Sequence, residues 1–228
     1  MSRSKSRSRK TAQAASFLAP DSRKNLPAEA RGMIANARND ITIPYWSGVL
    51  QHADETLIQQ GGGKGLAIYD EIERDTHAFS MLQKRKKGLT ARAWEIEPGG
   101  DRSIDKDAAG LCKDILATLP FDRICEDLLD ATLKGFAVSE ILWTRDGDRI
   151  VPAEVKAHDQ RRFVFGEDWQ PRLLTWTEMV EGMALPARKF ITHRFGVKGN
   201  NPYGLGLGSR LFWAVLFKRE GVAFWLHF

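Results

Sequence analysis

The sequence is poor in cysteine and in long apolar runs, and both absences exclude classes of protein. It contains two cysteines in 228 residues, which excludes a disulfide-stapled scaffold and is typical of a reducing compartment. Cys112 and Cys125 lie among leucine and isoleucine, so we expect both to be small buried apolar residues. The apolar run Leu211 to Phe217 is too short to cross a bilayer. We therefore expect no membrane association, and the start of the chain has no apolar segment typical of a secretory signal.

Motifs for nucleotide and metal chemistry are missing as well. The glycines at 204, 206 and 208 approach the pattern G-x-G-x-x-G, but Ser209 stands where the third glycine is required. In GGGKG, Gly65 stands where a P-loop requires serine or threonine. The five histidines show no metal-ligand spacing with each other or with the cysteines. We therefore expect no cofactor, no metal site and no catalytic residue, in a protein that is not an enzyme.

The same glycine stretch has a structural interpretation. Without a phosphate site, the three alternating glycines are expected to form a flexible approach to a final helix whose N-cap is Ser209. A pair of carboxylates, Glu95 and Glu97, is likewise expected on the solvated face of a strand, although paired carboxylates are also compatible with acid–base chemistry.

Basic residues are concentrated at the start of the chain. The formal net charge is +5, and SRSKSRSRK supplies much of this excess without any apolar periodicity. Residues 1–40 are therefore predicted to be a flexible basic arm. A solvated tail is the favoured interpretation, and an arm that contacts nucleic acid is the alternative. The predicted organisation continues with a folded domain at residues 41–208 and the start of a long helix at residues 209–228.

The order of the periodic segments predicts an α+β fold, with N-terminal helices, an antiparallel β-meander and a C-terminal helix. The apolar pattern of residues 50–75 is helical but is broken by a loop at GGGKG. The predicted helix boundaries are a cap at Asp75 or Thr76, a cap at Ser103 with an end at Leu119, and a start at Phe121 with an end at Leu133 before Gly135. The predicted strands cover residues 91–98, 137–144, 148–159, 161–166, 171–178 and 189–196.

The sharpest basic cluster of the folded part is KRKK, which comprises Lys84, Arg85, Lys86 and Lys87. Cations are favoured at the carboxyl end of a helix, so a solvated helix end explains the cluster without any ligand. The functional alternative is a sequence-independent contact with DNA phosphates. The composition is compatible with both interpretations.

Three blocks, taken in order, resemble the Mu-like bacteriophage portal proteins. They are YDEIERDTHAFSMLQKRKKGLTARAWEIEPGG, then GFAVSEILW followed by DGDRIVPAEVKAHDQRRFVF, and finally NPYGLGLGSRLFWAVLFKREGVAFWLHF. The resemblance covers about Pro44 to Phe228 and depends on the order of the blocks. It implies a portal wing-like region within a virion protein that is assembled in the host cytoplasm.

The resemblance also implies a function and partners. Portal subunits form a ring, typically a dodecamer, at one vertex of the head, and double-stranded DNA passes through it. The implied partners are other copies of the chain, the terminase large subunit, head and head–tail connector proteins, and DNA bound without sequence preference. Family members continue further than this chain, so the resemblance implies either an N-terminal fragment or a truncated prophage copy. Two alternatives remain: a small DNA-binding module that uses the basic tail and Lys84 to Lys87, and a nucleotide-dependent enzyme that uses the glycine stretch.

Overall fold

The computed structural model describes residues 48–197 and 199–227, which belong to one compact unit. The predicted basic arm at 1–40 lies outside the described residues. The described part is an α+β structure with a helical first half, antiparallel strands and a long final helix, which confirms the predicted fold class.

Helices dominate the first half of the described chain, and two more lie in its second half. The helices are α1 (Glu55–Gln60), a 3-10 helix (Gly62–Tyr69), α2 (Asp70–Glu73), α3 (Thr76–Thr90), α4 (Ser103–Thr118), α5 (Phe121–Leu128), α6 (Ala131–Lys134), a second 3-10 helix (Gln160–Arg162) and α7 (Gly208–Leu226). The predicted cap at Asp75 is confirmed, because its carboxylate accepts hydrogen bonds from the backbone N–H groups of His77 and Ala78.

The strands form two antiparallel sheets of three strands each. They are β1 (Phe136–Asp146), β2 (Arg149–His158), β3 (Phe163–Phe165), β4 (Pro171–Leu173), β5 (Met183–Ala184) and β6 (Phe190–Arg194). The spatial orders are β2-β1-β6 and β3-β4-β5. The predicted strands are therefore antiparallel but do not form a single meander, since β6 returns to pair with β1.

An aromatic cluster lies at the centre of the core. Phe136 begins β1 and is fully buried, with ring centroids 5.3 Å from Phe165 and 5.6 Å from Tyr203. The Tyr203 hydroxyl accepts a hydrogen bond of 3.2 Å from the Phe165 backbone N–H. Edge-to-face aromatic packing of this kind stabilises a core beyond the area it buries. The first half of β1 is consequently buried, while its second half is exposed.

The strand predicted at residues 91–98 is wrong. The segment is irregular and is hydrogen-bonded into neither sheet. Trp94 packs instead on Phe121 at the start of α5, with ring centroids 4.8 Å apart. Glu95 and Glu97 therefore share no strand face, and both are exposed. The strand predicted at 171–178 ends at Leu173, and β5 was not predicted.

Several predicted helix boundaries are also corrected. Ser103 is the first residue of α4 and not its cap, since its hydroxyl bonds the Asp107 carboxylate 3.2 Å away. The helix predicted at 121–133 is divided into α5 and α6 by a turn at Leu129 and Asp130. Gly135 ends α6 as predicted, with a φ of 98°.

Two further predictions about local structure fail. Cys112 is exposed because α4 lies on the surface and buries none of its residues, and Cys125 is half-buried in α5, where only Ile124 is buried. Within GGGKG, Gly61 is buried and precedes the first 3-10 helix, residues 62–64 are exposed within it, and Gly65 breaks its regular geometry with a φ of 50°. A glycine adopts that conformation without strain, so the break falls where the sequence predicted a loop.

Candidate functional site

The glycine stretch before α7 is tightly packed against the backbone of the core. A Cβ added to Gly206 would meet three backbone atoms of Leu133 and Gly135, including the Gly135 nitrogen at 2.6 Å. A Cβ on Gly208 would lie 2.6 Å from the Tyr69 ring. The expected flexible approach is therefore wrong: side chains are excluded here so that two backbone segments can lie in contact.

Backbone hydrogen bonds fix this junction. The Leu207 N–H donates to the Thr132 carbonyl at 2.8 Å, and the Leu205 N–H donates to the Phe195 carbonyl at 2.9 Å. The predicted cap at Ser209 is wrong, because α7 begins at Gly208, one residue earlier, and Leu207 caps it without a side-chain bond. The Ser209 hydroxyl instead lies 3.4 Å from the Thr56 hydroxyl of α1. The junction thus joins α7 to α1, α6 and β6.

A buried carboxylate holds the adjoining helices together. Asp54 is 3% exposed and caps α1 by accepting from the Thr56 N–H at 3.0 Å. Its second oxygen accepts a 2.5 Å hydrogen bond from the Tyr69 hydroxyl. Burial, together with this bond to Asp54, raises the pKa of Tyr69 far above its ordinary value. Tyr69 therefore keeps its proton and acts as a structural donor.

His52 lies beside the same cluster. Its ring packs on Tyr203 with centroids 3.8 Å apart. Burial lowers the pKa of His52 to about 4, and the nearby Asp54 carboxylate opposes this effect in part. The sequence alone gives His52 no role, because only the tertiary structure brings it into the aromatic core.

We expect this histidine to make stability depend on pH. The pKa is about 4 in the folded chain against 6.5 in the unfolded chain, so the unfolded chain binds more protons between these values. The contribution of His52 to the free energy of unfolding is complete above pH 6.5 and is lost as the pH falls towards 4. Chemical unfolding followed by circular dichroism across this range measures it.

A His52→Phe variant provides the control. His193 also has a pKa lowered by burial. The His52→Phe protein should therefore still lose unfolding free energy as the pH falls, but with a weaker dependence on pH. If the unfolding free energy of this variant depended on pH as steeply as that of the original protein, the prediction would be contradicted.

Ion pairs attach the middle of α7 to the helical layer. Lys218 lies 2.5 Å from Asp75, and Arg219 lies 3.1 Å from Glu71. These cations lower the pKa of both carboxyl groups, in each case chiefly through the hydrogen bond that the cation donates. Beyond these pairs the helix is exposed, and Trp225 is 83% exposed.

The basic cluster predicted for DNA contact lies at the end of α3, and it divides into two pairs. Lys86 and Lys87 form ion pairs with Asp130 and Glu126, which neutralise them locally. Lys84 and Arg85 are exposed and make no ion pair with the described residues. The structure therefore brings half of the cluster against α5 and leaves the other half facing solvent.

An exposed apolar loop follows β4, and the sequence pattern did not predict it. Trp176, in the connection between β4 and β5, is 92% exposed. It lines a cavity of about 400 Å³ together with Arg162, Leu174, Thr175 and Met179. The pattern of this segment predicts a strand, and the tryptophan gives no sign of its exposure in the sequence.

Charged side chains also meet across the first sheet. The Glu140 carboxylate lies 3.0 Å from the His158 ring and 3.3 Å from the Lys189 ammonium group. The bond to His158 lowers the pKa of Glu140, and Lys189 adds to this effect. These three side chains link β1 to β2 and to the residue that precedes β6. No local sequence pattern reveals the group, because its members are far apart in the chain.

The described residues contain no group of three or more histidine, cysteine, aspartate or glutamate side chains that could hold a metal ion. Within the same ranges, no helix has both the length and the apolar character needed to cross a membrane.

Comparison with known proteins connects these elements to one family. The sequence model for "Portal protein of Mu bacteriophage" matches residues 66–228. The chain is 32% identical over 160 residues to the portal protein of Escherichia phage Mu, a match that covers 68% of this chain and 30% of that protein. It is 28% identical over 157 residues to the Mu-like prophage FluMu protein gp29 of Haemophilus influenzae, with coverage of 67% and 30%. The chain thus spans about 30% of the length of these curated relatives.

Proposed function

The chain belongs to the family of Mu bacteriophage portal proteins, and we propose that it is a structural subunit of a phage portal. In this role, copies of the subunit form a ring at one vertex of the head, typically a dodecamer. Double-stranded DNA is packaged and ejected through the ring. The observation that carries the proposal is the family match, which covers α2 to α7 and both sheets.

The described structure supports a structural role over a catalytic one. The glycine stretch, which resembles a phosphate loop in the sequence, is closed by backbone contacts with Leu133 and Gly135. The buried Asp54 and Tyr69 are bonded to each other and to the start of α1, so their polar atoms are already in use. A protein of this kind positions partners and performs no chemistry of its own.

The proposed partners and organisation follow from the portal role. We propose that residues 41–208 form the wing-like domain and that residues 209–228 begin a long helix. The partners are further copies of the chain, the terminase large subunit, and head and head–tail connector proteins. The protein would lie at the portal vertex of the virion and pass through the host cytoplasm during assembly.

Oligomer size tests this function. The purified chain should sediment as a large assembly of uniform size and should form closed rings that are visible by negative-stain electron microscopy. Sedimentation as a monomer at every concentration up to the solubility limit would contradict the proposal.

A second candidate function is sequence-independent DNA binding by the basic cluster. The exposure of Lys84 and Arg85 favours it, since unpaired cations release counterions when they contact phosphates. Lys86 and Lys87 are already paired with carboxylates. If DNA contact is the function, Lys84 and Arg85 should contribute more to the affinity for DNA than Lys86 and Lys87.

We expect the double variant Lys84→Gln, Arg85→Gln to weaken binding to duplex DNA more than Lys86→Gln, Lys87→Gln. The slope of log affinity against log salt should fall by about 2 in the first variant, because two phosphate contacts are lost. Fluorescence anisotropy at several salt concentrations measures both. Equal effects of the two double variants would show that the exposed pair has no special role.

A further inference from the structure

The loop between β4 and β5, residues 174–182, is an ordered apolar projection, here named the tryptophan loop. Backbone N–H groups and carbonyls of Thr175 and Glu178 bond each other in both directions at 3.2 Å, so the turn is closed by its own atoms. The Thr175 hydroxyl adds a third bond to the Glu178 N–H. A preformed loop loses little conformational freedom when it binds a partner.

The surface of this loop is apolar and acidic. Trp176, Met179 and Val180 are all more than half exposed, although side chains of this kind are usually buried. Tryptophan is enriched among the residues that contribute most to protein–protein binding. Glu178 and Glu181 are also exposed, and neither makes an ion pair with another described residue.

A second surface has the opposite charge. Its members share one side of α3 at helical spacing, and they are Met81, Lys84, Arg85, Gly88 and Leu89, here named the basic face. Met81 and Leu89 are exposed apolar residues at its two ends. Lys84 and Arg85 supply two positive charges that have no partner among the described residues.

Gly88 forms a notch in the basic face. A Cβ at this position would meet nothing within 4 Å, so no contact within the described chain requires glycine there. Glycine in a helix is less stable than alanine, but its missing side chain permits another molecule to approach the helix backbone closely. The notch lies between the cations and Leu89, where a bulky side chain has room to approach the helix.

We propose that the tryptophan loop of one copy binds the basic face of α3 on the next copy, with Trp176 over Gly88. This proposal rests on the proposed function, since it specifies a contact between neighbouring subunits of the ring. The two surfaces differ from each other, which is what a head-to-tail contact that closes into a ring requires.

Charge and apolar character both favour this pairing. Glu178 and Glu181 match Lys84 and Arg85 in number and are opposite in sign, and the remaining exposed side chains of both surfaces, apart from Thr177, are apolar. Complementary charges of this kind fix the register of an interface and exclude wrong partners. The apolar side chains that flank the cations distinguish the basic face from a purely phosphate-binding surface, which needs charge alone.

Charge reversal tests the pairing. We expect Glu178→Lys, Glu181→Lys to weaken self-association at least about tenfold, and Lys84→Glu, Arg85→Glu to do the same. The variant that carries all four changes should recover association to within about threefold of the original protein, because the charges again match. Sedimentation at several concentrations measures association, and circular dichroism confirms that each variant is folded.

Gly88 provides a test in which folding and association change in opposite directions. Gly88→Ala should raise the thermal stability of the chain, because alanine favours helix, yet it should weaken association by filling the notch. Gly110→Ala is the matched control, since Gly110 is also an exposed helical glycine with open space beside it. It should raise thermal stability and leave association unchanged. If Gly88→Ala and Gly110→Ala associated equally strongly, the notch at Gly88 would not be part of the contact.

The outcomes separate this proposal from the others. If the original chain forms rings and the charge-reversed variants form them equally well, the contact is wrong and the portal role stands. If Lys84→Glu, Arg85→Glu reduces only DNA binding, the basic face contacts DNA and the proposal is overturned. If the original chain is monomeric at every concentration, both the ring and this contact are wrong.

Discussion

Replacing Gly206 by alanine is expected to lower the free energy of unfolding by at least about 3 kcal/mol. The added methyl group would overlap backbone atoms of Leu133 and lie 2.6 Å from the Gly135 nitrogen. Backbone atoms cannot turn aside as a side chain can, so either the junction before α7 or the end of α6 must move. Urea unfolding followed by circular dichroism measures the loss.

Gly221→Ala is the control for this substitution. Gly221 lies within α7 and has open space where its Cβ would be, so alanine should stabilise the helix by about 0.5 to 1 kcal/mol. Gly208→Ala should fall between the two, because its methyl group would approach the Tyr69 ring at 2.6 Å and a single backbone atom, the Leu133 oxygen, at 2.8 Å. An unfolding midpoint for Gly206→Ala equal to that of the original chain would disprove the close packing.

The second large effect is expected at Asp54. Asp54→Ala removes the cap of α1 and leaves the buried Tyr69 hydroxyl without its acceptor. Loss of a cap costs about 1 kcal/mol and an unpaired buried donor about 1 to 3 kcal/mol more, so we expect a loss of about 3 kcal/mol. Thermal and chemical unfolding both measure it.

Two variants separate the components of this loss. Tyr69→Phe removes only the hydroxyl and should destabilise by about 1 kcal/mol, and in combination with Asp54→Ala it should cost less than the sum, since the two groups bond each other. Asp75→Ala removes a cap of the same kind from α3 at a more accessible site and should have the smaller effect. Strict additivity of Asp54→Ala and Tyr69→Phe would contradict the direct bond.

Local signals in the sequence correctly predicted several elements. The Asp75 cap, the end of α6 at Gly135 and the antiparallel strands were all expected, because caps, glycine breaks and period-two patterns are local properties. The order of the three sequence blocks also indicated the family, and all three blocks lie within the range that the family model matches.

The failed predictions concern contacts between distant parts of the chain. Residues 91–98 have strand-like alternation, but the packing of Trp94 on Phe121 places the segment beside α5 and outside both sheets. Lys84 to Lys87 form one basic cluster in the sequence, yet Asp130 and Glu126 of the α5–α6 region neutralise two of the four charges. Neither outcome follows from local periodicity.

The sequence by itself determined the α+β class, the positions of most helices and strands, and the portal family. Only the tertiary structure decided what the glycines at 204, 206 and 208 do. The sequence shows that they lack side chains but not what lies against them. In the fold, the backbone of residues 133–135 and the Tyr69 ring occupy the space beside Gly206 and Gly208, and a stretch that resembles a phosphate loop is a close-packed joint between α7 and the core.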